Sequence, residues 1–207
     1  PEKLFGDVAK NGERFLPRVK RTEEVIPYEE INQKVLVNDH STDNTVKIAE
    51  EFNWSVYTNS STDIPSGANE ALRHVKTKFF VSLEQDILRI KEWWSKIPKR
   101  LLNEKVAVAS GIKLANQPVA LEAEDYIMER YEKKKLPYPT LDNTMYKTGV
   151  IRKLGGFPKL YISGGVDIVL AKGFIKARVL CPDCLKAYGR QTTVKKILGR
   201  LNRIEEA

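Results

Sequence analysis

Three short stretches of this chain gather side chains that could do chemistry. The first is Asn38-Asp39-His40-Ser41-Thr42-Asp43-Asn44-Thr45, which follows the apolar Val35-Leu36-Val37. In an open α/β sheet, ligands sit at the carboxyl ends of the strands. A polar loop there, feeding a helix N-terminus, can grip a nucleotide's base and ribose through carboxylates and backbone N–H groups. Ser41, Thr42 and Asp43 could instead cap the following helix, which would account for part of the run but not all of it. The second stretch is Glu84-Gln85-Asp86, after Phe79-Phe80-Val81-Ser82-Leu83. Carboxylates at i and i+2 in a turn can share one hard cation whose other positions are filled by diphosphate oxygens; the alternative is a solvated acidic turn. The third is Gly155-Gly156-Phe157, followed by Asp167 within Ser163-Gly164-Gly165-Val166-Asp167. Asp167 could be a general base in a cleft or a helix cap.

The elements that must position these residues read as an α/β pattern. Lys34–Asn38 has the character of a buried strand, and the helix after it carries Val46, Ala49 and Phe52 on one face. Trp54–Tyr57 reads as the next strand, completing a right-handed β-α-β unit. Ala68–Val75 reads as helix, with Lys78–Leu83 and Val106–Ser110 as further strands. Beyond these lie a charged amphipathic helix at Leu121–Lys135, a break at Pro137-Tyr138-Pro139, a strand at Thr144–Lys147, a turn at Gly155-Gly156-Phe157 and a late strand at Lys176–Leu180. The last segment, Thr192–Ile204, sets Val194, Ile197, Leu198, Leu201 and Ile204 on one helical face and basic residues on the other. That pattern suits either packing on the protein's own core or lying on an anionic membrane. The opening Lys3–Val8 reads as a poor first strand.

Composition narrows the class. With 207 residues, 42% hydrophobic and 30% charged, the chain has the make-up of a globular protein with one substantial core. Its net charge of +8 favours anionic partners. No zinc finger, basic-zipper or RNA-binding signature accompanies that charge, so nucleic acid is not the expected partner. No apolar run is long enough to span a bilayer and no signal-peptide core opens the chain, so the expected location is cytoplasmic, at most peripheral to a membrane. Cys181 and Cys184 form a lone Cys-Pro-Asp-Cys, best read as small residues in a turn that could pair.

Taken together, and in this order along the chain, the three stretches resemble the family 2 glycosyltransferases of the GT-A fold. In that family an Asp-Asp-Gly-Ser-x-Asp loop holds the nucleotide, an Asp-x-Asp holds a metal, and a Gly-Gly-Phe precedes an acidic pair containing the base. Asn11-Gly12-Glu13-Arg14-Phe15-Leu16 also looks like the family's segment after its first strand. The resemblance implies that Asn38, Asp39, Ser41 and Asp43 hold the nucleotide and that Glu84 and Asp86 hold Mn²⁺ or Mg²⁺ beside the diphosphate. It further implies that Asp167 is the catalytic base, with Asn69 and, more loosely, Arg190 on the donor side.

The implied fold is a single α/β domain, Rossmann-like, with a mainly parallel central sheet flanked by helices. Residues 1–110 would form the nucleotide half, 111–190 the acceptor half and 191–207 a basic amphipathic helix. The implied reaction is inverting transfer of a sugar from a nucleoside-diphosphate sugar to a glycan hydroxyl or a lipid phosphate. The chain departs from the pattern at Asn38 (an acid in the family), His40 (glycine), Glu84 (aspartate), Gly67-Ala68-Asn69 (Ala-Arg-Asn) and Val166 (glutamate). A nucleotidyltransferase, or a basic nucleotide- or nucleic-acid-binding module without catalysis, are the other readings.

Overall fold

The computed structural model describes residues 3–16, 30–83, 91–110, 141, 143–159 and 169–170. All of them fall in one compact unit. Its sheet has six strands in the order β3-β2-β1-β4-β6-β5. These are β1 (Lys3–Ala9), β2 (Gln33–Asn38), β3 (Ser55–Thr58), β4 (Phe79–Leu83), β5 (Val108–Ser110) and β6 (Asn143–Lys147). The helices are α1 (Thr45–Glu51), α2 (Ile64–His74), α3 (Lys91–Leu101) and α4 (Thr148–Lys153).

Strands β1 to β4 are mutually parallel, with Ala9 opposite Asn38 and Asp7 opposite Leu83. The expected β-α-β unit is present as β2-α1-β3. From β1 the chain winds outward to β2 and β3 and then crosses back, so that β4 lies on the other side of β1. β6 runs antiparallel to both β4 and β5, which makes the sheet mixed at that edge.

Lys3–Val8, which reads as a poor first strand, forms β1 together with Ala9 and lies inside the sheet. Its single glycine and two charged residues hide the usual apolar signature, yet it is hydrogen-bonded on both sides, to β2 and to β4. Pairing on both edges supplies what side-chain patterning does not.

β2 carries the clearest signal of a strand covered on both faces: Val35, Leu36 and Val37 are fully buried. On β4 the faces separate. Phe79, Val81 and Leu83 enter a core with Met145, Ala109 and Trp93, Trp94 and Leu101 of α3. Phe80 stacks instead on Tyr146, ring centroids 5.0 Å apart, and meets Phe157 edge-on at 6.2 Å. α2 starts earlier than the apolar pattern suggests, because Asp63 caps it, its carboxylate accepting from the Ser66 N–H at 2.7 Å.

Two helices end in the same way. After α1 the Trp54 N–H reaches Ala49 O and the Asn53 N–H reaches Glu50 O, with Asn53 at φ 59°. After α4 the Gly156 N–H reaches Ile151 O and the Gly155 N–H reaches Arg152 O, with Gly155 at φ 87°. This crossed pair, closed by one left-handed residue, is the Schellman motif. Gly156 is constrained further. Asn69 of α2 lies against it, its amide donating to Phe157 O and accepting from the Phe157 N–H, both at 2.8 Å. A Cβ on Gly156 would stand 2.3 Å from Asn69 Oδ1, at a φ of 88°.

The two glycines should therefore respond differently to alanine. Gly155→Ala meets open space and should cost only the left-handed backbone, about 1–2 kcal/mol. Gly156→Ala adds a collision with the Asn69 amide and should cost clearly more. Urea unfolding of both variants measures the difference, and equal costs would show that the Asn69 contact yields freely.

Candidate functional site

The carboxyl ends of β1, β2 and β3 lie side by side because the three strands are parallel neighbours. The loops that leave them are laced to one another. Extending the β1–β2 pairing, the Asp39 N–H donates to Ala9 O at 2.8 Å. Next, the Asn11 N–H donates to Ser41 Oγ at 2.9 Å, the Gly12 N–H to Thr45 Oγ1 at 2.7 Å and the Glu13 N–H to Asp43 Oδ2 at 3.1 Å. In return the Thr42 N–H donates to Asn11 Oδ1 at 2.9 Å, and the Asn44 N–H and side-chain amide donate to the Glu13 carboxylate at 3.2 and 2.9 Å. Asn11 and His40 take the left-handed conformation, φ 48° and 57°, which turns the backbone sharply at each strand end.

The polar run after β2 thus divides its labour. Asp43 accepts at Oδ1 from the Thr45 N–H, 3.0 Å, and from the Thr45 hydroxyl, and at Oδ2 from Glu13. Burial pushes its pKa up, but the Thr45 hydroxyl and the Glu13 and Thr45 amides outweigh this and hold it below the ordinary value. Asn38 accepts at Oδ1 from the Ser41 N–H, 3.0 Å. Ser41 accepts at Oγ from the Asn11 N–H, and among the described residues its hydroxyl proton meets no acceptor.

Asp39 is different. It is buried, and its Oδ1 receives the Asn59 side-chain amide at 3.1 Å. Among the described residues its Oδ2 meets only the Lys10 ammonium, 3.5 Å away, on a side chain 57% exposed.

Asn69 is brought to the Gly155-Gly156-Phe157 turn and not into this lacing; its amide is engaged on Phe157. β4 ends at Leu83, parallel to β1, so the chain leaves it at the same end of the sheet as the laced loops. Glu84, Asp86, Asp167 and Arg190 lie outside the described residues, as do Leu121–Lys135, Lys176–Leu180, the two cysteines and Thr192–Ile204. Among the described residues no group of three or more His, Cys, Asp or Glu side chains could hold a metal ion, and no helix is long and apolar enough to cross a membrane.

One residue of this site, Asn59, escaped sequence reading, and so did Asp63, the cap of α2; Lys10 was visible only as part of Lys10-Asn11-Gly12-Glu13-Arg14, a thin candidate for a basic loop after the first strand. Lys10 and Asn59 stand just past the carboxyl ends of β1 and β3, where the topology itself directs attention.

A parallel core wound to both sides of β1, with polar loops gathered at its carboxyl end, is an α/β architecture of the GT-A type. The chain belongs to the glycosyl transferase family 2: residues 13–155, more than half its length, match that family. The fold is shared with solved structures of low identity. The mannosyltransferase PcManGT from Pyrobaculum calidifontis, solved with GDP-Man and Mn²⁺, has a TM-score of 0.63 at 19% identity, over 76% of this chain and 48% of that one. TarS from S. aureus, solved with UDP-GlcNAc, has a TM-score of 0.61 at 16% identity, over 84% and 53%. Glucosyl-3-phosphoglycerate synthase from Mycobacterium tuberculosis, solved with phosphoglyceric acid, has a TM-score of 0.65 at 16% identity, over 86% and 67%. The chain spans about half the length of the first two. A comparison with curated proteins found no match.

Asp63 closes the loop after β3. Hydrogen bonds from the Ser61 and Ser66 hydroxyls, against some desolvation, lower its pKa to about 2. A carboxyl with a depressed folded pKa stabilises the fold above its unfolded value and loses that contribution as pH falls toward the folded one. Asp63→Ala should cost about 1 kcal/mol at neutral pH, as for other N-caps. The gap to wild type should close as pH drops from 3.8 toward about 2. Unfolding curves across that range measure it; a gap independent of pH would mean that Asp63 acts without its charge.

Proposed function

We propose that this chain transfers a sugar from a nucleoside-diphosphate sugar to an acceptor hydroxyl or lipid phosphate, with inversion and with Mn²⁺ or Mg²⁺. The observation that carries the reading is Asp39, with one oxygen held by Asn59 and the other beside exposed Lys10, among laced loops at the carboxyl end of a family 2 core. A carboxylate oxygen in that setting can accept from a nucleoside N–H or O–H. Asn38, Ser41 and Asp43 would complete that wall, Asp43 chiefly by bracing it. The relatives solved with GDP-Man and Mn²⁺ and with UDP-GlcNAc support the class of donor, and the one solved with phosphoglyceric acid supports a phosphorylated acceptor.

Glu84 and Asp86, which follow β4 in the sequence, are a hard-oxygen pair suited to a cation that takes its remaining ligands from a diphosphate. When bound, such a cation offsets the charge that develops on the departing nucleoside diphosphate. Asp167 would draw the proton from the acceptor, Arg190 would face the diphosphate, and Asn69 would serve the donor side through the turn it holds. In this reading residues 1–207 form one domain, and 192–204 touch an anionic membrane surface when the acceptor is a lipid phosphate.

Thermal-shift titration with UDP-, GDP-, CDP- and dTDP-sugars, with and without Mn²⁺, tests the donor class. A donor at roughly 100 times its Kd should stabilise the fold by ~2.7 kcal/mol. Without the cation, diphosphate and carboxylates face each other as like charges, so binding should depend on it and Asp86→Ala should abolish that dependence. Full activity in excess chelator would sink the metal assignment.

Asp167→Asn separates the acceptor step from donor binding. It keeps the size of the side chain and removes its basicity, so turnover should fall by ~10²–10⁴ while donor and metal still bind. Near-normal turnover would assign the base to another residue.

A further inference from the structure

We propose that Asn59 is a positioning residue for donor binding: it fixes Asp39 from inside the protein so that one carboxylate oxygen always faces outward. This rests on the donor reading above and adds to it a residue that no motif supplies.

Asn59 is 1% exposed, and a polar side chain so buried must find its partners within the protein. It finds them on three sides. Its own N–H donates to Asn38 O at 2.9 Å, tying the end of β3 to the end of β2. Its side-chain amide donates to Asp39 Oδ1 at 3.1 Å and to Asp63 O at 3.3 Å, and its Oδ1 accepts from the Ser61 N–H at 3.3 Å. Flipping the amide would set oxygen against the Asp39 carboxylate and nitrogen against an N–H, so one orientation is enforced.

α2 packs closely against Asn59 and β1. A Cβ on Gly67 would stand 3.3 Å from Asn59 Nδ2 and 2.8 Å from Val8 Cγ1, so helix, strand and amide meet with no room to spare. The two oxygens of Asp39 are therefore held unequally. Oδ1 has a buried, rigid partner; Oδ2 has an exposed lysine, which a ligand can displace at little cost. Without Asn59 the carboxylate could turn, and Lys10 could draw it away from the nucleoside.

The test is nucleotide affinity of the full chain, by calorimetry with UDP, GDP, CDP and dTDP in the presence of Mn²⁺. Asn59→Ala removes a hydrogen bond to a charged group and should raise the Kd of whichever nucleotide binds by roughly tenfold or more. Asn59→Asp keeps the shape but sets a second carboxylate against Asp39; among the described residues the charged ones beside the pair are Lys10, on Asp39 Oδ2, and Asp63, whose backbone carbonyl accepts from Asn59. Two carboxylates so close cannot both ionise freely, and one takes a proton as pH falls. That variant should bind poorly at about pH 8 and recover toward about pH 5, a recovery that wild type lacks. Asp63→Ala, which leaves the backbone carbonyl in place, should keep near-wild-type affinity. If Asn59→Ala fails to fold, the pH profile of Asn59→Asp decides alone. Wild-type affinity in the Asn59 variants at every pH, or an equal loss in Asp63→Ala, overturns the proposal. Binding of none of the four nucleotides by wild type overturns the donor reading itself.

Discussion

Two parallel strands, β1 and β2, end in register, and everything polar at this site depends on how their departing chains satisfy one another. A loop at the end of a buried parallel strand has backbone N–H groups that the ladder no longer pairs. Here the donors after β1 are answered by side chains after β2, and the reverse. Asn11, Gly12 and Glu13 donate to Ser41, Thr45 and Asp43, while Asn11 and Glu13 accept from Thr42 and Asn44. The lacing crosses from one loop to the other, so neither loop can move alone.

That reciprocity decides which polar groups are open to a ligand. Asp43, the more conspicuous carboxylate because it stands just before α1, is bound at both oxygens, and its lowered pKa follows from those bonds. Asp39, one turn earlier, is the carboxylate left with an oxygen facing an exposed cation.

Much of this architecture was legible in the residues, and the failures have physical causes. β2 and β4 announce themselves because strands covered on both faces must be apolar throughout. β1 does not, because its identity comes from pairing on both edges and its neighbours lie far along the chain. α3 was not read at all: Pro98, which usually stops a helical pattern, sits inside it, and its hold on the core is Trp93, Trp94 and Leu101. The antiparallel direction of β6 is likewise a matter of topology and leaves no trace in Thr144–Lys147. Within the site, the run Asn38 to Asp43 was visible as a polar interruption, but its internal division was not. A carboxylate bound at both oxygens and one with an oxygen beside an exposed lysine are the same residue type, and only their partners tell them apart.

The departures from the family motif fit the same logic. His40 stands where the motif has glycine, yet it holds φ 57°, the left-handed region in which glycine is at ease. An L-residue there carries a strain of order 1–2 kcal/mol. What maintains it is the bonding on either side: Asp39 is tied to Ala9 and Asn59, and Ser41 to Asn38 and Asn11. Asn38, replacing an acid, still offers the oxygen that the Ser41 N–H requires. The left-handed turn at His40 is therefore held by hydrogen bonds on both sides of it. The side chain gained at His40 is exposed on the same turn as Asp39, which gives this loop an outward-facing group that a glycine lacks.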